Sequence, residues 1–201
     1  MIDDLKKILR SEKVIVELGM GDGGVLQKLA EDQMGSQSVA YVGIEKDKNL
    51  ADQARMRVKL QNVTIINELF ENTLIRFNDQ SIDLIVMVLP DPEYIDPIYQ
   101  QKWGSFYKVI RSKLKDSGIL KIVTEIIDDL LEPVSDESYS THVNWLIKAF
   151  LDLGFKLLDR KDGSPLDYTS IFLDKFRADP HRIRMVTLEF GKSNSRKPFS
   201  I

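Results

Sequence analysis

Residues 13–24 read KVIVELGMGDGG, an apolar run closed by an acidic side chain and followed by four glycines in six positions. Glycine lets backbone approach another group closely and take positive φ. Such a cluster after a strand-like run marks either a turn built against a ligand or a tight strand-to-helix turn with none. Working outward, helical and strand-like periods alternate along the chain, the pattern of βαβ units around a mostly parallel sheet. Strands are expected near 13–18, 39–45, 63–66, 82–88, 118–124, 155–158 and 183–190, with helices near 23–34, 48–60, 69–76, 99–115 and 138–152. The run IDLIVMVL at 82–89 is apolar on both faces and belongs at the centre of the sheet. Between FKLLD and RIRMVTLEF no crossover helix is legible, only a turn-rich stretch, so these strands are expected to pair antiparallel at an edge.

The 201 residues suit one domain, 1–201, with an N-terminal helix over 1–12, a flexible tail over 191–201, and loops at 126–137 and 159–170. With 43% hydrophobic and 29% charged residues the composition is that of an ordinary globular protein, and no apolar run approaches the ~20 residues of a membrane helix. The opening MIDDLKKILRSEK has an amphipathic pattern without the apolar core of a secretory signal, so a cytoplasmic location is expected. No cysteine is present, which excludes disulfides, thiolate-bound metal and thiol nucleophiles. The only histidines are His142 and His181, so no metal site is expected. A net charge of −3 gives no global attraction to nucleic acid; an RNA partner would have to meet a local basic patch. Nothing in the sequence sets an oligomeric state.

GMGDGG satisfies two templates, the dinucleotide G-x-G-x-x-G and the acidic-x-G-x-G of S-adenosylmethionine binders. Downstream, YVGIEKD is a second strand ending in Glu45, 21 residues after Gly24, where a carboxylate can accept both ribose hydroxyls of either cofactor. Glu17 separates the two: a carboxylate at the end of the first strand would face a methionine ammonium favourably and a pyrophosphate unfavourably. The fourth strand runs into LPDPEYIDP. Ligands of open α/β sheets bind beyond the carboxyl ends of the strands, which brings Pro90, Asp91 and Pro92 toward the glycine turn, with two prolines stiffening the carboxylate's position.

The chain resembles the class I S-adenosylmethionine-dependent methyltransferases, and within them the tRNA (guanine-N7)-methyltransferase family. The carrying segments are VIVELGMGDGG, VGIEKD, NVTIIN with Glu68, SIDLIVMVLPDP, LKDSGILKIVTE and YTSIFLDKFRADPHRIRMVTLEF. The resemblance implies a Rossmann-like α/β fold whose seven-stranded, mostly parallel sheet has an antiparallel last strand and helices on both faces. It implies S-adenosylmethionine as cofactor, held by Glu17, Gly19, Gly21, Gly23, Glu45, Asn67, Glu68 and Pro90. Asp91 and Glu125 are the implied catalytic residues. Tyr94, Ser170, Asp174, Arg182 and Arg184 are the implied contacts to substrate, a tRNA or other RNA. The segment after PDP, EYIDPIYQQKW, lacks the tryptophan and basic run of that family, and the family's Thr-Asp after the fifth strand is Thr124-Glu125 here.

Methylation at C5 of a pyrimidine needs a cysteine nucleophile and is excluded. Methylation of an exocyclic amine is not, because Asp91-Pro92-Glu93-Tyr94 is one substitution from the D-P-P-Y loop of amino-methyltransferases. A small-molecule or protein methyltransferase and a non-catalytic cofactor-binding subunit also remain open. Lys175, Arg177, His181, Arg182 and Arg184, with Arg196 and Lys197, form either a basic patch beside the site or a solvated strand edge. Phe150, Phe155, Phe172 and Phe176 are expected in the core, as is Trp145; Trp103 is expected to begin a helix after the PDP loop, in a place from which it could cover the pocket.

Overall fold

The computed structural model describes Ile8 and residues 11–32, 38–128 and 132–193. Seven strands form one sheet: β1 (Lys13–Leu18), β2 (Val39–Glu45), β3 (Val63–Asn67), β4 (Ile82–Val88), β5 (Leu114–Ile127), β6 (Phe155–Asp162) and β7 (Ile183–Lys192). Their order is β3-β2-β1-β4-β5-β7-β6. β1 pairs in parallel with both β2 and β4, so the winding reverses beside β1 and opens a crevice beyond its carboxyl end. β7 runs antiparallel to both β5 and β6, as expected.

Among the described residues, the sheet is flanked by the α-helices α1 (Gly24–Glu31), α2 (Lys48–Arg57), α3 (Phe70–Leu74), α4 (Gln100–Lys113), α5 (Asp136–Asp152) and α6 (Ile171–Arg177). Three of them start at side chains that satisfy orphan amides. The Asp47 carboxylate accepts from the Asn49 and Leu50 amides at α2, Ser135 accepts from Ser138 at α5, and Ser170 accepts from Leu173 at α6. On one face, α4 and α5 bury Trp103, Tyr107 and Phe150 against Phe190 of β7. Burying each such ring stabilises the fold by roughly 1.5–3 kcal/mol. On the other face, α1 and α2 pack Leu26, Ala51 and Ala54 onto Ile15 and Tyr41.

Several expectations change. A seven-residue helix, α6, sits in the connection between β6 and β7 where only turns were legible. β5 continues to Ile127, β6 to Asp162 and β7 to Lys192, shortening the loops and the tail. The antiparallel ladder explains this, since β7 supplies hydrogen-bond partners to Ile127 on one side and to Asp162 on the other. Trp103 is buried, donates its indole N–H to the Asp96 carbonyl and covers no cleft. Most of the helix expected over 1–12, most of the tail, and Arg196 and Lys197 lie outside the described residues, although Ile8 is helical and buried in the core. No described helix is long and apolar enough to cross a membrane.

Candidate active site

A cleft of about 430 Å³ lies beyond the carboxyl ends of β1, β2, β4 and β5. β1 delivers Glu17, only 1% exposed, whose Oε2 has no hydrogen-bond partner. Burial, and then the charge of Asp22, raise its pKa well above the ordinary carboxylate range. The chain turns through Gly19 and Gly21 at φ of +68° and +56°, and a Cβ on either would meet open space. Gly23 does a different job: a Cβ there would sit 2.8 Å from the Ala54 Cβ, so its bareness lets α1 approach α2. A Cβ on Gly24 would lie 2.2 Å from the Thr169 carbonyl oxygen, so this position admits the strap that leads into α6.

β2 ends in Glu45, buried, whose two carboxylate oxygens accept from the Gly21 and Asp47 amides, each at 2.9 Å. Each oxygen keeps a free lone pair for further donors. β4 is followed by a left-handed residue, Leu89 at φ +52°, a conformation that costs an L-residue about 1–2 kcal/mol. Its amide nevertheless donates to the Val123 carbonyl at 2.8 Å, so the turn leaves the sheet tightly at Pro90. Asp91 stands exposed at the mouth, its Oδ2 accepting from Lys46 Nζ at 2.9 Å. β5 adds Glu125, whose Oε2 is buried without a partner and whose pKa is raised by burial and then by the charge of Asp91.

Of the residues expected from sequence, the cleft gathers Glu17, Gly19, Gly21, Glu45, Pro90, Asp91, Tyr94, Glu125 and Ser170. Tyr94 lines it from within an aromatic cluster: its hydroxyl donates to Glu71, and its ring packs edge-on against Phe70 at 4.9 Å and Phe106 at 5.4 Å. Gly23, Asn67, Glu68, Asp174, Arg182 and Arg184 do not line it. Asn67 Nδ2 donates to the carbonyls of Glu45 and Lys46 and so steadies the loop after β2. Glu68 accepts from Thr73 and Arg76, Asp174 pairs with Arg177, and Arg182 pairs with Asp179. Arg184 pairs with Asp136 and lies over the Tyr139 ring in an adjoining hollow.

Sequence reasoning missed Asp22, Lys46, Leu50, Phe70, Phe172 and Phe176, all of which line the cleft. Phe172 and Phe176 were expected in the core, yet Phe172 is 47% exposed. The signal for them was present in Ser170, whose hydroxyl caps α6 and turns its two phenylalanines toward the cleft.

The donor set fits S-adenosylmethionine. The buried Glu17 carboxylate, with its unpartnered Oε2, would hold the ammonium, Glu45 the ribose hydroxyls, and Leu50 with Phe70 the flat adenine. Fold and cleft together define a class I S-adenosylmethionine-dependent methyltransferase. A profile of the methyltransferase domain family matches residues 15–118, and the chain belongs to that family.

Solved structures share the fold. A 16S rRNA methyltransferase, KamB, superposes with a TM-score of 0.73 at 14% identity, over 96% of this chain and 93% of that one. A 16S rRNA (adenine(1408)-N(1))-methyltransferase from Catenulisporales acidiphilia, with the cosubstrate S-adenosylmethionine, gives 0.65 at 16% identity over 98% and 93%. A phosphoethanolamine N-methyltransferase from Haemonchus contortus, in complex with S-adenosylhomocysteine, gives 0.61 at 14% identity over 96% and 52%. A sequence comparison with curated proteins gives no match. Among the described residues no group of three or more His, Asp or Glu is placed to hold a metal ion.

Proposed function

We propose that the protein methylates a nucleobase of RNA, with N7 of a guanine in tRNA as the acceptor. The observation that carries this reading is the pair of carboxylates at neighbouring strand ends, Asp91 and Glu125, facing a cleft wall that presents the exposed ring of Phe172. The ring offers a stacking surface and the carboxylates offer polar contacts at the edge of a flat heterocycle.

When bound, the cofactor supplies a methyl group on a sulfonium, electrophilic enough to need no activation by the protein. Guanine N7 carries a lone pair and no proton, so no general base is required and the protein's task is alignment. Asp91, braced by Lys46, accepts from the guanine N1–H and exocyclic amine. Glu125, with its raised pKa, holds a proton more readily and in that form donates to O6. Phe172 and Phe176 keep water off the stacked face.

The acidic lining of the cleft favours a second reading, a small amine as acceptor. Glu17, Asp22, Glu45, Asp47, Asp91 and Glu125 line it against a single lysine, Lys46, among the described residues. The deciding experiment incubates the protein with trideuteromethyl S-adenosylmethionine and total tRNA, digests to nucleosides and identifies the labelled species by mass spectrometry. Labelled 7-methylguanosine is expected. A labelled exocyclic amine would move the assignment to the D-P-x-Y chemistry, and unlabelled RNA with labelled small amines would favour the second reading.

A further inference from the structure

Beside the cleft lies a separate hollow of about 310 Å³ between α5, α6 and the start of β7. Phe176 is the wall between the two, lining both. Across the β5–β7 ladder Glu125 pairs with Met185, so the reacting edge of the cleft and the floor of the hollow are one strand apart, about 4.8 Å.

The hollow's chemistry is specific. The Arg184 guanidinium lies 4.0 Å from the centroid of the Tyr139 ring, a cation–π stack that fixes its plane. Its partner Asp136 has a 97% exposed side chain, so that ion pair is weak and easily exchanged. Asp162 Oδ1 accepts from the Tyr139 hydroxyl at 2.7 Å and from Arg160 Nε at 2.9 Å, leaving the other carboxylate oxygen as an acceptor. Ile183, Met185 and Pro180 supply apolar walls. A flat cationic plane, an aromatic divider and a carboxylate acceptor are what an unstacked nucleobase with ring N–H or amine donors requires.

We infer that this hollow is a second base subsite, which takes the nucleotide flanking the methylated one, with Phe176 wedged between the two bases and Arg184 stacked on the second. The inference rests on the RNA reading above. Reading two adjacent bases in separate cavities would select single-stranded or unpaired RNA, because paired and stacked neighbours cannot straddle a phenylalanine.

The test measures binding to the protein saturated with S-adenosylhomocysteine, using guanosine monophosphate and a guanine-containing single-stranded RNA pentamer, with Arg184→Met and Arg184→Lys beside the wild type. The pentamer is expected to bind the wild type at least 10-fold more tightly than the mononucleotide. Arg184→Met should erase that excess without changing mononucleotide affinity, and Arg184→Lys, which keeps the charge but not the plane, should restore under a third of it. Thermal melting with and without S-adenosylhomocysteine reports whether each variant folds. If Arg184→Met fails to fold, Pro180→Trp, which fills the hollow from its exposed rim, takes its place with the same expectation. Full pentamer affinity in the folded variants, or full recovery by Arg184→Lys, would overturn the subsite while leaving the RNA reading intact. Absence of binding by both RNA probes to the wild type would overturn both.

Discussion

Lys46 and Asp91 join across the mouth of the cleft at 2.9 Å, so the loop that follows the Glu45 strand is tied to the loop that would hold the methyl acceptor. The bond with Asp91 raises the lysine's pKa. Both side chains are more than half exposed, and a pair of this kind contributes only ~0.2–1 kcal/mol to stability. Its value lies in orientation.

Asp91→Ala should therefore leave S-adenosylmethionine affinity within about twofold while cutting turnover by ~10²-fold or more, the scale of lost alignment. Lys46→Met should cut turnover by a smaller factor, on the order of 10-fold, because Asp91 remains but swings free. Calorimetry paired with steady-state kinetics checks both. Wild-type turnover in Asp91→Ala would remove Asp91 from the acceptor site.

Glu45→Ala should weaken cofactor binding. A hydrogen bond to a charged group is worth about 1.5–3 kcal/mol, so roughly a 10- to 150-fold loss is expected. Part of that loss comes through the Gly21 and Asp47 amides, which lose their acceptor and let the glycine turn loosen. Unchanged affinity by calorimetry would remove Glu45 from the ribose site.

Glu17 links pH to both stability and binding. Its pKa in the folded, ligand-free protein is raised by burial and by Asp22, with a smaller contribution from Glu45. The stabilisation this represents is fully present below the unfolded carboxylate pKa and is lost as pH rises through the raised value, so the ligand-free protein should melt higher in mild acid than at neutrality. Cofactor binding runs the other way, since the ammonium requires the ionised form, and affinity should rise with pH across the same window. Glu17→Gln should flatten both profiles and bind more weakly. Melting curves and calorimetry across pH test this; an unaltered pH profile in the variant would place the titration elsewhere.

Gly24→Ala should lower the melting temperature by several degrees. The added methyl would stand 2.2 Å from the Thr169 carbonyl oxygen, backbone that moves only if the strap lifts, and such overpacking costs typically 1–3 kcal/mol. Gly19→Ala meets no neighbour and should pay only the left-handed penalty of ~1–2 kcal/mol, yet its methyl would point into open cleft space and weaken cofactor binding. Differential scanning calorimetry with and without cofactor separates the two.

The first four strands were legible nearly to the residue because their apolar runs are bounded by turn residues, and β1 and β2 are buried on both faces. The glycine turn, Glu17, Glu45 and Asp91 were legible because position at a strand end fixes their neighbourhood. α6 escaped because seven residues give too few turns for a period to show, and IFLDKF has apolar side chains on several faces, two of them for a cleft rather than a core. Asn67 and Glu68 stand at a strand end too, yet bond to neighbouring loop and helix groups, which depends on side-chain reach and not on spacing. Arg184 follows the strand alternation correctly, but Tyr139 and Asp136, 45 and 48 residues earlier in the chain, decide where its guanidinium lies.

The crowd of carboxylates around the cleft has a consequence for turnover. S-adenosylmethionine carries a net charge of +1, and giving up its methyl neutralises the sulfonium, so the spent cofactor leaves with no net charge. An enclosure lined by Glu17, Asp22, Glu45 and Asp91 attracts the first more than the second. The protein should resist inhibition by its own by-product, and that resistance should fade as added salt screens the carboxylates nearest the mouth.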